Sequence, residues 1–279
     1  MTNHKRFDKG LFAGAFLAAA AVLAGITLTG VNLQYFLQPS GVLIVIGGAA
    51  SVMLLTTPIG ALTNALKRVA SLASSNDVDR EALLEEIIRF SRLFRRGTPA
   101  EFEASIPEAP DGFLREGLML GLDIPDRHEL QLTLEAELRL RERQGETDAR
   151  ILETAGAFAP TIGIVGTVVG LIEVLRQFSN VQSVGHGVGT AFVSTVYGLA
   201  AANFVLLPLA HRIRLRVAQT FETEEMILEG ILCIYARLHP ALIRQRLTPY
   251  LGRSYASESA RTKPASAHAP NKVNAAAAG

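Results

Sequence analysis

The chain has 279 residues, 49% of them apolar, a mean hydropathy of +0.26 and a formal net charge of +1. That is too apolar for an average soluble protein, and the near-neutral balance lacks the strongly basic footprint of a nucleic-acid binder. A lone cysteine, Cys233, excludes a disulfide framework.

The apolar residues are concentrated. Residues 10–66 contain no Asp, Glu, Lys or Arg, and these 57 residues suffice for two helical crossings at about 20 residues each. VNLQYFLQPSG (31–41) divides them into spans near 11–31 and 40–57. A cleaved signal peptide over residues 1–28 is set aside, because the second apolar span follows within a few residues and no exported domain would be delivered.

Residues 61–150 hold 13 basic and 18 acidic side chains. Such a segment does not seek nucleic acid. Within it, Leu83, Leu84, Ile87, Ile88, Ser91 and Phe94 recur at helical spacing, so DREALLEEIIRFSRLFRR reads as an amphipathic helix with Glu85 and Arg89 spaced for an i,i+4 pair. Gly97, Thr98 and Pro99 end it, SIPEAPDG and LDIPDRHEL read as turns, and Asp126 caps a helix running from about 127 toward the next apolar region.

That region, 154–210, is interrupted only by Glu173 and Arg176, and FSNVQSVGHGVG (178–189) splits it into spans near 155–176 and 189–210. Glu153 reads as an interfacial residue, and Glu173 as half of a boundary ion pair with Arg176. Lys5, Arg6, Lys9, Lys67, Arg68, Arg143, Arg150, Arg212, Arg214 and Arg216 flank the spans on one side. The positive-inside rule therefore puts both termini and residues 61–150 in the cytoplasm.

The expected organisation is an all-α integral membrane protein with four transmembrane helices and long cytoplasmic helical extensions. It comprises a cytoplasmic N terminus (1–10), spans one and two (11–57), a cytoplasmic helical domain (58–152), spans three and four (153–211), C-terminal helices (212–252) and a Ser/Ala/Lys/Pro-rich disordered tail (253–279). The six histidines are scattered without ligand spacing, and Gly47–Gly48 is not followed by Lys-Ser or Lys-Thr, so neither a metal site nor a phosphate-binding loop is expected.

The third span carries Ala159, Gly163, Gly166 and Gly170 on one face, a stripe nearly without side chains that permits close helix association. Pro160 and Pro208 each remove a helix hydrogen bond, freeing the carbonyls of Gly156 and Phe204 for a local hinge. The fourth span adds the hydroxyls of Ser194 and Thr195, and Thr167 and Thr195 are placed to line one polar path. For a single threonine, bonding back to its own helix is the simpler reading.

Together, APTIGIVGTVVGL in the third span and STVYGLAAANFVLLPLA in the fourth resemble the Pro-x-x-Gly-x-x-Gly-Thr-x-x-Gly-Leu and Thr-Thr-x-Tyr-Gly-x-x-x-Ala-Asn-x-x-x-x-Pro patterns of the MotA/PomA subunits of the flagellar motor stator. PSGVLIVIGGA and LEGILCIYARLHPALIRQRL add to a likeness that runs to about residue 251. The resemblance implies a homo-oligomeric ring in the bacterial inner membrane around single-span MotB/PomB-type partners, each with a membrane aspartate and a peptidoglycan-binding domain. It implies no cofactor, only a transported ion, H⁺ or Na⁺.

It further assigns Thr167, Ser194 and Thr195 to the ion path and Pro160 and Pro208 to coupling. Ala159, Gly163, Gly166, Gly170, Tyr197 and Gly198 are assigned to packing against the partner helix, and Arg95, Arg96 and Glu103 to contact with the rotor protein FliG. Two departures stand out: Ser194 replaces the first threonine of the Thr-Thr pair, and RRGTPAEFE lacks the leucines usual between the rotor-facing charges. A TolQ/ExbB-type energising subunit shares the glycine-threonine motif but has three spans and an outward N terminus. A structural scaffold would need only the glycines, and no nucleophile, base or metal cluster suggests an enzyme.

Overall fold

The computed structural model describes residues 6–7, 9–28, 30, 36–75, 79–176 and 181–252. Apart from a two-residue antiparallel pairing, β1 (Arg6–Phe7) with β2 (Ser74–Ser75), it is all helical. The expectations for residues 1–5, the second short loop around 178–180 and the tail from 253 lie outside the described residues.

Two apolar helices come first, α1 (Lys9–Leu28) and α2 (Pro39–Thr56). Both are hydrophobic around their whole circumference, the pattern of helices surrounded by lipid or protein. Pro39 opens α2 because the first helical position needs no N–H donor. After Thr57–Pro58, the amphipathic helix α3 (Ile59–Leu72) turns Ala65 and Leu72 into a small neck cluster with Ile151, Leu152, Ile213 and Val217.

The head that follows is built from short capped helices. Asp79 accepts from the backbone N–H groups of Glu81 (3.0 Å) and Ala82 (3.1 Å), starting α4 (Arg80–Arg96). Its apolar face buries Leu83, Leu84, Ile87, Ile88 and Phe90 as its periodicity requires. The anticipated Glu85–Arg89 pair does not form. Arg89 instead meets Glu86 at 2.8 Å and Glu108 at 3.4 Å, while Glu85 reaches Arg244 of another helix. Tertiary neighbours offered each charge an alternative partner.

The segment expected to be only a terminator and a turn holds two more helices. Thr98 and Glu101 form a reciprocal capping box for α5 (Pro99–Ser105), and Asp111 caps α6 (Gly112–Asp123) after a 3₁₀ turn at Ile106–Glu108. Asp126 caps α7 (Arg127–Arg176) through His128 N at 2.9 Å, as expected. At about 1.5 Å per residue, this 50-residue helix is a rod joining head to apolar hairpin.

α8 (Val181–Ala200) packs back along α7 and continues through a π-helical stretch, Ala201–Leu206, into α9 (Leu207–Tyr235). α10 (Pro240–Leu251) is the last helix among the described residues, with His239 Nδ1 accepting from Ala241 N. Pro240 thus begins a helix. The head core gathers Phe90, Phe102, Phe113, Leu114, Leu118, Leu130, Met226 and Ile231, with Ile243 and Leu247 pinning α10 to it. Phe94 stands edge-on to both Phe102 and Tyr235, with 4.9 Å between centroids in each pair.

Among the described residues, three helices are long and apolar enough to cross a membrane, at Pro39–Thr56, Arg127–Arg176 and Val184–Tyr235; the apolar stretch of α1 over Phe16–Leu28 is shorter.

Candidate functional site

The α7–α8 hairpin brings the two motif segments face to face. A Cβ added to Gly163 would lie 3.0 Å from Ser194 O, one on Gly170 would lie 2.6 Å from Ala191 N, and one on Gly198 would lie 2.6 Å from Ala159 O. The two backbones therefore touch along the whole small-residue stripe. Ala159, Gly163, Gly166, Gly170 and Gly198 are all buried there. Within this chain they lie against the neighbouring helix of the α7–α8 hairpin. In lipid, this close backbone contact is what holds two helices together.

Tyr197 is also engaged internally. Its hydroxyl donates to Phe36 O and accepts from Gln38 N at 3.4 Å, tying α8 to the start of α2. Beside it, Thr190 donates to Gln38 Oε1 at 2.5 Å in a buried contact. The loop sequence LQPSG placed Gln38 at the α2 N terminus, but nothing in it indicated Thr190 as its partner.

Thr167 and Thr195 do meet. Their hydroxyls are 2.5 Å apart across the hairpin, both half-buried. Thr167 Oγ1 also lies 3.0 Å from Ala191 O and 3.2 Å from Gly163 O. A hydroxyl has one proton and two lone pairs, so this cluster of two hydroxyls and two carbonyls always retains an unfilled acceptor. Ser194 does not join it. Its side chain is fully buried, donates to Thr190 O at 2.7 Å and faces Gly41 and Gly166. Successive helix residues point about 100° apart, so Ser194 and Thr195 could not share one path.

α7 runs through Pro160 without interruption. On the other helix, the π-helical turn ends just before Pro208, and Leu207 N bonds back five residues to Ala202 O. A proline that removes one bond is accommodated here by a widened turn, a place where bending is easy. Pro208 is exposed and Pro160 half-buried.

Charges frame the hairpin at both ends. Glu153 is paired bidentately with Arg214, one leg at 2.7 Å, and Arg68 holds the buried Asp148 at 2.7 Å across the neck. Glu173 faces His186 Nδ1 at 3.7 Å instead of Arg176. Sequence spacing favoured Arg176, but the hairpin brings His186 opposite. Between Glu153 and Glu173 the apolar part of α7 carries no Asp, Glu, Lys, Arg or His, and of these types α8 carries only His186. Among the described residues no group of His, Cys, Asp or Glu could hold a metal ion.

In the head, Arg141 gathers Glu137 (2.9 Å), Glu224 (3.3 Å) and Glu116. Burial pushes the Glu224 carboxyl above its usual range, although Arg141 opposes the shift. For Arg141 burial works the other way, yet its three carboxylates together raise its pKa. Burial likewise pushes the Tyr235 hydroxyl well up; it donates to Leu118 O at 2.5 Å. Arg95, Arg96 and Glu103 are all exposed, the arginines in the last turn of α4 and Glu103 on α5. Cations at a helix C terminus complement its dipole.

Comparison with known proteins extends these observations. The motility protein A N-terminal model matches residues 12–98, and the MotA/TolQ/ExbB proton channel family model matches residues 105–226. Motility protein A of Treponema phagedenis is 31% identical over 244 residues, 88% of this chain and 94% of that protein. Motility protein A of Bacillus subtilis is 29% identical over 249 residues, 88% and 91% respectively. Among solved structures, the flagellar MotAB stator complex from Bacillus subtilis contains a chain 26% identical, with a TM-score of 0.78, covering 90% of this chain and 98% of that one. This chain therefore belongs to the motility protein A family of membrane proteins, within the MotA/TolQ/ExbB proton channel family.

Proposed function

We propose that the chain is an ion-conducting stator subunit of the bacterial flagellar motor, coupling ion-motive force to torque together with a single-span MotB/PomB-type partner. It is not an enzyme. The observation that carries the reading is the Thr167–Thr195 hydroxyl pair, set in an apolar hairpin without a carboxylate of its own between Glu153 and Glu173. An ion crossing the bilayer needs an ionisable or strongly polar ligand near its centre, so the missing carboxylate is supplied by the partner's membrane aspartate. The match of residues 12–98 to the motility protein A N-terminal model favours this over a TolQ/ExbB-like role, because it covers the first two spans that distinguish the layouts.

In this reading α1 is the fourth span. Support comes from β1 pairing with β2, which sets the chain ahead of α1 beside the end of α3, as an even number of intervening crossings requires. Both termini and the head are then cytoplasmic, in the inner membrane, and several copies surround the partner helices. The ion is H⁺ or Na⁺. Neutralisation of the partner's aspartate moves the subunits only if the two charge states fit them differently. Because the small-residue stripe is occupied within the chain, the differential contact lies on the outward side of the hairpin beside the threonines. Pro160 and Pro208 allow bending, and α7 and α9 carry it to the head, where Arg95, Arg96 and Glu103 face the rotor protein FliG.

The test is gene deletion, with flagella examined by electron microscopy and swimming by cell tracking. Full-length flagella on paralysed cells, rescued by the gene, are expected. Normal swimming with a leaky outer membrane would replace this reading by the TolQ/ExbB-like one.

A further inference from the structure

We propose that a groove between the last turns of α4 and the N terminus of α10 is a binding site for a small phosphoryl-bearing anion, of pyrophosphate to nucleotide size. The groove has a volume of about 710 Å³. Its floor is Ile88, and Arg92, Arg95, Arg96, Arg244 and His239 line its walls, with no carboxylate among the lining residues.

Three features point to this ligand chemistry. Arg92, Arg95 and Arg96 stand at i, i+3 and i+4 on one helix face, where like charges repel unless an anion joins them. Among the described residues none of the three has a carboxylate within ion-pair distance. The dipole of α4 explains cations in its last turn, but not that Arg244, itself paired with Glu85, and His239, whose Nδ1 accepts from Ala241 N, face them from the other helix. That helix presents its positive N-terminal end, beginning at Pro240, to the same space.

Shape then bears on the size of the ligand. Drug-sized and cofactor ligands occupy concave sites of roughly 300–1,000 Å³, and this groove falls in that range. The apolar lining is slight, Ile88, itself 1% exposed, with Pro240 and Ala241, so the groove offers mainly charge. Guanidinium forks match phosphate oxygens in bidentate geometry. Ile243 and Leu247, both fully buried, hold α10 in place, so the walls are preformed. Binding is a property of the head alone. Its consequence, that an occupied groove withholds Arg95 and Arg96 from the rotor, rests on the stator reading.

The experiment uses the full-length chain in nanodiscs of zwitterionic lipid and follows the anisotropy of a fluorescent nucleoside triphosphate at low salt. Saturable binding is expected, displaced by pyrophosphate and more weakly by inorganic phosphate. Arg92→Gln and Arg96→Gln each weaken it by roughly tenfold, as loss of one charge-assisted contact does. Arg139→Gln, at an exposed site paired with Glu135, leaves it unchanged. No saturable binding at millimolar ligand, or equal binding by the groove variants, overturns the proposal. So does displacement by a polyglutamate peptide but not by pyrophosphate, which would identify a surface for an acidic protein. If binding holds but motor torque is indifferent to the groove variants, the stator assignment of these arginines fails and the site stands.

Discussion

At the residue scale, the Thr167–Thr195 contact separates a transport role from a packing role. Valine matches threonine in shape but has no hydroxyl, so Thr167→Val keeps the hairpin and removes the polar centre. Swimming speed should fall sharply while the amount of assembled protein in the membrane stays constant, and the Thr167→Val/Thr195→Val pair should lose little more than either single change. Independent, additive losses would mean the two hydroxyls do not act together. Gly170→Leu tests the other component: with Ala191 N and Gly187 O both 2.6 Å from an added Cβ, the helices must separate, and folded protein should be lost altogether. Glu224 offers a pH test. Its folded pKa is raised by burial, so the folded chain holds that proton more tightly than the unfolded chain. Stability from this group therefore falls as pH rises from the ordinary carboxylate pKa, about 4.5, through the raised value. Glu224→Gln should flatten that part of the melting-temperature profile of the detergent-solubilised chain.

At the element scale, the two prolines differ in what surrounds them. α7 carries Pro160 in an otherwise regular helix, whereas the helix ahead of Pro208 is widened into a π turn at Ala201–Leu206. Replacing either with alanine restores a backbone donor and stiffens the helix. Pro160→Ala and Pro208→Ala should assemble normally, yet deliver little torque. Normal swimming by both variants would remove the hinge from the mechanism. The short head helices answer to a different force. Their caps are local, but each is too short to be stable alone, and Phe102 fastens α5 to the core through its edge-on contacts with Phe90 and Phe94. Phe102→Ala should cost about 3–5 kcal/mol, read as a loss of head stability in denaturant titration.

At the scale of the whole molecule, a stiff connection joins two cores of different chemistry. The hairpin is held by backbone contact between small residues, the head by aromatic and aliphatic packing, and α7 belongs to both. Ion pairs mark the junction: Glu153–Arg214 and Arg68–Asp148 fix α3, α7 and α9 to one another just where the apolar spans end. A motion started at the hairpin must pass this neck to reach the head. Asp148 is buried but the Arg68 side chain is 39% exposed, so Arg68→Gln should cost about 1–3 kcal/mol, read as a lower melting temperature of the detergent-solubilised chain.

The apolar helices at Pro39–Thr56 and after residues 155 and 189, the amphipathic helix from residue 80, the cap at Asp126 and the union of the 127 helix with the third span were legible in the sequence. Each depends on local composition or on spacing along one helix. Pairing across elements was not legible. Glu85 was expected at Arg89 and found Arg244; Glu173 was expected at Arg176 and faces His186; and nothing in the glycine stripe told that α8 of the same chain lies against it. Ser194 was grouped with Thr195 because it stands at the first position of the family's Thr-Thr pair, yet the helical turn sends their side chains to different neighbours. Periodicity tells which side of a helix is apolar or small, but not what covers it. Only the tertiary structure decides that, because a side chain's partner is set by the distances between elements remote in sequence.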